Sequence, residues 1–555
     1  MTMRETVIST TTTTTIELTD ADTLLTLART ALLTTSAEGI VVSGDAPNRS
    51  VAVEGEISSG AAAIVFGSSS TDLSGTIRIG SAGFIHAGRG GILSFADGTE
   101  INQGGTIEAR LVGVVASGVA TAFTNNGTIT SQLDVAAELT GVSAMIVNNG
   151  RLAGYSDGLR ASGDRANITN NGSIGSTKAA GIVTSGNNST VTNNGSIGVQ
   201  GHGIVVNGAG EIITNNGKVG AGGIALLVRG TDSIVTNSGS LNAGADGINL
   251  QGARGIVTNN KSIEVGGDAI TVSARDAIVN NTGTIKGASG LDVTGANIKA
   301  VNSGTITGWK AGVGAVDFTL AANGNFTNDG TVTALAKLAF KGGNGVQTLI
   351  NRGVINGDVE LGGGNDYIDN TGGTVKGHIA GGTGNDTYVI SNAKTLLIEA
   401  KNGGIDTVRS SVSYVLSDNF ENLTLTGSKA LNATGNSAAN QLHGNDANNV
   451  IKGMAGNDLI WGHGGNDTLS GGAGTDTFFF ANGDGRDTIT DFKATGSDHD
   501  ILDLAGLSSI TSFADLKANH MTQVGKDVLI DSLEGDTILL KNVKLAQLDK
   551  MDFHF

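Results

Sequence analysis

Apolar and polar residues alternate in short strings through the middle of the chain, and the strings return at a nearly fixed interval. TNNGTI at 124–129 recurs as VNNGRL at 147–152, TNNGSI at 169–174 and 192–197, and TNNGKV at 214–219. TNSGSL at 236–241, TNNKSI at 258–263, VNSGTI at 301–306, TNDGTV at 327–332 and INRGVI at 350–355 continue the series. The interval is mostly 22 residues and ranges from about 21 to 26. Between copies lies a second alternating phrase: GIVTSG, GIVVNG, GIALLV, GINLQG, AITVSA. A period-two alternation marks a strand. Each 22-residue interval therefore holds two or three short strands and their turns, which is one coil of a parallel β-helix.

Stacked coils bring residues one period apart to within about 4.8 Å. Asp232, Arg254 and Asp276 then form a column of alternating charge. The first Asn of each phrase forms another column and, if buried, needs its amide satisfied by the Asn above and below. Asp157, His202, Asp246 and Asp268 make a third column, read as a solvated edge. Upstream, residues 1–19 are Thr-rich. A helix is predicted from Thr19, capped by Thr19 or Asp20 and carrying Leu24, Leu25, Leu27, Leu32 and Leu33, as a lid on the open end of the solenoid.

A shorter period takes over downstream. Five nonapeptides run without a gap from Gly435 to Phe479: GNSAANQLH, GNDANNVIK, GMAGNDLIW, GHGGNDTLS and GGAGTDTFF. Each opens with glycine and places an apolar residue eighth: Leu442, Ile451, Ile460, Leu469, Phe478. The last three place Asp458, Asp467 and Asp476 sixth, where the first two have Asn440 and Asn449. GGTGNDTYV at 381–389 and LGGGNDYID at 361–369 carry the pattern upstream, and Asp366, Asp386 and Asp406 are spaced by 20 residues, close to one turn of two nonapeptides. Glycine permits turns with positive φ and leaves carbonyl oxygens unobstructed. Aspartate adds a hard anionic oxygen, the donor a hard cation such as Ca²⁺ selects.

Composition supports a thin core. The 555 residues include 87 Gly, one Pro, no Cys and only 4% aromatics, too little bulk for several thick globular cores. The lack of Cys excludes disulfides, thiol catalysis and zinc-thiolate sites. A formal charge of −17 argues against nucleic acid or an anionic membrane as partner. Residues 441–503 hold ten Asp and three Lys or Arg, net −7, and repel themselves unless a cation is present. No stretch reaches the 18 apolar residues of a membrane span. The first residues lack the apolar core of a signal peptide, so any export address is expected elsewhere in the chain.

From about residue 361 to 555 the chain resembles the RTX proteins exported by type I secretion. The nonapeptides carry the resemblance, together with ENLTLTG at 421–427 and GDGRDTITDF at 483–492, the latter similar to the C-terminal region of serralysin-type proteases. The segment 525–555, ending in Asp552, Phe553, His554 and Phe555, resembles the family's uncleaved secretion signal. The resemblance implies passage through type I secretion machinery, folding outside the cell, and several Ca²⁺ ions as cofactor. By position it implies Asp366, Asp386, Asp458, Asp467 and Asp476 as ligands, with Gly382, Gly384, Gly456, Gly462, Gly465, Gly471 and Gly474 shaping the turns and lending carbonyls. Asn440 and Asn449 depart from the pattern, and the stretched GSDHDILDL at 496–504 leaves the roles of Asp498 and Asp500 open.

The expected fold is all-β: a parallel β-helix of about 22-residue coils continuing into a calcium-binding β-roll, with a short N-terminal helical cap. The expected divisions are 1–40 (tail and cap), 41–360 (β-helix), 361–495 (RTX region) and 496–555 (C-terminal cap and signal). The RTX tail says nothing of what it exports. No H-E-x-x-H and no G-x-S-x-G is present. The expectation is a secreted or cell-surface calcium-binding structural protein (adhesin, biofilm or surface-layer-like) without enzymatic activity, meeting a glycan, a cell surface or further copies of itself. The alternative is a β-helix polysaccharide lyase, epimerase or hydrolase. The patch YSDGLRASGDR at 155–165 offers it Tyr155, Asp157, Arg160, Asp164 and Arg165.

Overall fold

The computed structural model describes residues 4–18, 23–43, 48–67 and 74–555. The chain divides into two compact units, 1–317 and 318–555.

The first unit is a stack of three-strand coils. One coil runs through Ile234–Asn237, Ser240–Ala243 and Ile248–Leu250, and the next begins at Ile256–Asn259. All pairing between them is parallel and in register: Val235 faces Val257, Leu241 faces Ile263, and Ile248 faces Ile270. These side chains are buried, and the third strand adds a second inward aliphatic rung, Leu250 over Val272. At the corner of each N-N-G phrase a Cβ on Gly217 would lie 1.9 Å from the Gly195 carbonyl oxygen. The coils approach closely there, and glycine holds the corner in most phrases, with Lys261 standing in its place in TNNKSI.

The first Asn of each phrase is buried as expected. From Asn125 through 148, 170, 193, 215, 237, 259 and 281 to Asn302, each Nδ2 donates to the next Oδ1 at 2.7–2.8 Å. Asp232 and Arg254 pair through two 2.7 Å contacts, and Asn297 donates to Asp276 at 3.0 Å. The third column is a row of turn caps rather than a solvated edge. Asp157 accepts the Ala180 N–H, His202 the Ile224 N–H, Asp246 the Asp268 N–H and Asp268 the Ser289 N–H.

The N-terminal helical cap is corrected. Thr19 and Asp20 lie outside the described residues, but Thr23–Leu27 and Leu32–Thr35 are strands. Thr23–Leu27 pairs in parallel with Arg4–Ile8 and with Arg49–Val53. Leu25, Leu27 and Leu33 are fully buried. The T-L-L-T-L string reads with period two once an open solenoid edge supplies the ladder, and that context outweighs leucine's helical preference.

The second unit opens with β-helix coils that carry an Asn stack of their own: Asn328 to Asn351 to Asn370 at 2.7–2.8 Å. Its coils then shorten. Tyr367–Asn370 pairs with Thr387–Ile390, and Thr387–Ile390 with Thr407–Ser410, at steps of 20 residues. Gln441–His443, Leu459–Trp461 and Thr477–Ala481 follow at steps of 18, two nonapeptides per turn. Opposite them, Asn432–Thr434, Val450–Ala455 and Thr468–Ala473 stack at the same step. The β-helix therefore passes into the β-roll within this unit without a linker. An antiparallel set, Met521–Val524, Asp527–Asp531 and Thr537–Leu540, closes the stack. A short helical turn at Phe513–Asp515 precedes it, and Phe553–His554 docks beside Leu502 and Asp503.

Candidate metal centre

In the roll, the residue just before each strand turns its carboxylate along the stack. Asp366, Asp386 and Asp406 stand before strands of one face, as do Asp458, Asp476 and Asp500 further along. One oxygen of each takes a backbone N–H from the preceding coil. Gln347 donates to Asp366 at 2.7 Å, Asp366 to Asp386 at 2.7 Å and Asp386 to Asp406 at 2.8 Å. Asp406 donates to Glu421, Asn440 to Asp458, Asp458 to Asp476 and Asp476 to Asp500. A second column on the opposite edge links Asn449 to Asp467 and Asp467 to Asp487.

The other oxygen is left over. The Oδ2 atoms of Asp366, Asp386, Asp406, Asp458, Asp467 and Asp476 are buried and have no hydrogen-bond partner. An unmet buried anionic oxygen is costly, and six in two files call for cations. The first glycine of each nonapeptide makes room for them. A Cβ on Gly453, Gly462 or Gly471 would lie 2.2–2.3 Å from the Oδ2 of Asp458, Asp467 or Asp476. Gly382, Gly384, Gly456, Gly465 and Gly474 have φ between 106° and 130°, so their turns require glycine. The donor set is hard oxygen throughout, which fits Ca²⁺. Asp366, Asp386, Asp458, Asp467 and Asp476 would hold it, offering the negative charge that these closed turns otherwise leave unbalanced.

Burial pushes the carboxyls of Asp366, Asp406, Asp458, Asp467 and Asp500 up to about 7, Asp386 to about 6 and Asp487 to about 8. Neighbouring carboxylates add to the rise, while the N–H donors oppose it.

The Asn substitutions behave differently from the Asp. Asn440 donates to the Phe420 carbonyl at 2.9 Å and accepts from the Asn436 N–H at 2.8 Å. Asn449 does the same with Leu431 and Asn445. Their amides close the turns without an unmet atom.

Several residues of the columns escaped the sequence motif. Asp406, Glu421, Asp487 and Asp500 sit in degenerate repeats: the 20-residue spacing marks Asp406, steps of 19 and 20 residues from Asn440 and Asp467 are the signal for Glu421 and Asp487, and Asp500 stands 24 residues from Asp476. Asp498 instead forms a surface ion pair with Lys493 at 3.0 Å. The 155–165 patch does not converge on one point. Arg160 bridges Asp157 at 2.6 Å and Glu138 at 3.3 Å, Asp164 caps the Asn187 N–H, and Tyr155 lies under Lys178.

Residues 435–478 match the family model of the RTX calcium-binding nonapeptide repeat, in four copies. Two curated relatives, both from Rhizobium meliloti (strain 1021), share a 173-residue segment with this chain. The endo-1,3-1,4-beta-glycanase EglC is 43% identical over 31% of this chain and 34% of its own length. The endo-1,3-1,4-beta-glycanase ExsH is 41% identical over the same shares. The chain thus spans about a third of the length of these relatives. The expectation of a chain without enzymatic activity is corrected by this finding, because both relatives are named as enzymes. The chain carries RTX calcium-binding repeats on an all-β parallel solenoid.

Proposed function

We propose that this protein is a secreted calcium-binding protein of the cell surface or extracellular matrix, and that polysaccharide is the class of molecule it meets there. The observation that carries the calcium part is the double file of six buried carboxylate oxygens without partners. Extracellular placement and export by type I machinery are supported by the repeats and by the resemblance of residues 525–555 to a secretion signal.

The polysaccharide part rests on an open groove in the first unit and on the glycanases' names. The groove, about 750 Å³, is lined by Gln200, Gly220, Asn242, Glu264, Lys286 and Trp309. Gly220, Asn242, Glu264 and Lys286 are stacked rungs of one outer face. Amides, an ion pair and a half-buried indole are the groups that meet sugar hydroxyls and the flat face of a sugar ring. A second reading, that the chain itself cleaves glycans, is favoured by the relatives' enzyme names.

The test is to incubate the calcium-loaded full chain with neutral and acidic polysaccharides, reading co-sedimentation and new reducing ends. Retention that falls several-fold in Trp309→Ala supports the proposal, and release of reducing ends carries the second reading. Neither retention nor release on any polysaccharide overturns the polysaccharide part.

A further inference from the structure

Asp386, Glu399 and Asp406 lie together at the start of the roll, and only the first belongs to a well-formed nonapeptide. One carboxylate oxygen from each falls within 4.8 Å of the others. All three side chains are buried, at 1%, 5% and 0% exposure. The Oδ1 atoms of Asp386 and Asp406 are spent on backbone N–H groups, while both Oδ2 atoms have no partner. Glu399 is fixed from the other side. Its Oε2 accepts from Gly382 N at 3.1 Å and Ala400 N at 3.2 Å, and its Oε1 accepts from the Tyr388 hydroxyl. A Cβ on Gly381 would lie 2.2 Å from Asp386 Oδ2 and 2.6 Å from Glu399 Oε1, so the two oxygens share one small space.

We infer that Asp386, Glu399 and Asp406 form a separate cation site for a hard divalent ion such as Ca²⁺, tighter than the sites of the tandem array. Three carboxylates converge here, whereas the first two nonapeptides of the array carry Asn440 and Asn449, whose amides are already satisfied. More anionic oxygens on a rigid frame raise affinity for a hard cation. Glu399 comes from the string TLLIEA at 395–400, outside any nonapeptide, so the repeat pattern does not reveal the site. The site lies at the passage from 22-residue to shorter coils, so filling it first would fix the coil on which the array stacks. This inference rests on the calcium reading above.

Calorimetric titration of the calcium-depleted full chain with Ca²⁺ tests it. Wild type is expected to show one ion bound with a Kd about ten-fold below the remainder. Glu399→Gln is expected to weaken that class about ten-fold and leave the weaker class in place. Asp467→Asn should do the reverse. An unchanged tight class in Glu399→Gln overturns the inference. If that variant does not fold, Tb³⁺ emission excited through tyrosine decides. At sub-stoichiometric Tb³⁺, wild type should emit and Tyr388→Phe should lose most of the signal, whereas equal emission overturns the site. A wild-type chain that binds no calcium at all would instead sink the calcium reading itself.

Discussion

Asp467 and Asp446 lie in nearby nonapeptides, and the fold uses them differently. Asp467 is buried with one oxygen unmet, whereas Asp446 is exposed. Asp467→Ala is expected to raise the calcium concentration at the folding midpoint by about ten-fold, while Asp446→Ala leaves it unchanged. Equal midpoints, followed by circular dichroism in calcium titrations, would contradict the assigned register. In the first unit, Glu211 is fully buried, and burial pushes its carboxyl from 4.5 to about 7. The Thr184 hydroxyl and the Ser189 N–H, its hydrogen-bond donors, only partly oppose the rise. Between those two pH values the folded state keeps a proton that the unfolded chain has released. Stability is therefore full below the lower value and falls as pH rises through the upper one, by on the order of 2–3 kcal/mol. Glu211→Gln should flatten that loss, measured as urea unfolding of the first unit's signal at pH 5 and pH 8. An equal pH dependence in both proteins would show that Glu211 is not its source.

At the scale of the element, the stacked Asn side chains hold the coils in register. Asn237→Ala leaves the Asn215 Nδ2 donor and the Asn259 Oδ1 acceptor without their 2.8 Å partners inside the stack. Each unmet buried group costs about 1–3 kcal/mol. The exposed stack beside it is also hydrogen-bonded, with Asn216 donating to Asn194 at 2.9 Å, but water replaces those bonds. Asn216→Ala should shift stability by less than about 0.5 kcal/mol. Comparable losses in melting temperature from the two changes would refute the buried ladder's role. This ladder was legible in the sequence because its period and its Asn are written out in every coil. So were the first glycines of the nonapeptides, whose role is steric. The N-terminal strands were not, because Leu24, Leu25, Leu27, Leu32 and Leu33 fit a helix until neighbouring coils supply a ladder. Glu399 was not, because a site assembled across coils needs only proximity, and Glu399 keeps neither the nonapeptide spacing nor its glycines. One column carries its own signature that no local pattern announced. His443, Trp461 and Phe479 stack ring on ring at 4.2 and 4.1 Å on the outer face of the roll, joined by His463 at 3.2 Å from His443. Such cross-strand aromatic pairs add to sheet stability.

At the scale of the whole molecule the two units differ in what balances their buried polar groups. The first satisfies its Asn column through amide–amide bonds, and Asp157, Asp246 and Asp268 through turn N–H groups. The second leaves six buried carboxylate oxygens unmet, all of them in residues 366–476. Binding free energy of the ions that meet them is folding free energy for that unit. The most direct measurement is amide hydrogen exchange on the full chain, with millimolar Ca²⁺ and after chelation, resolved by peptide. Calcium removal is predicted to strip protection from the strands between residues 367 and 506 while leaving the coils between 122 and 302 protected. Protection of the 367–506 strands that is the same with and without calcium would contradict the account.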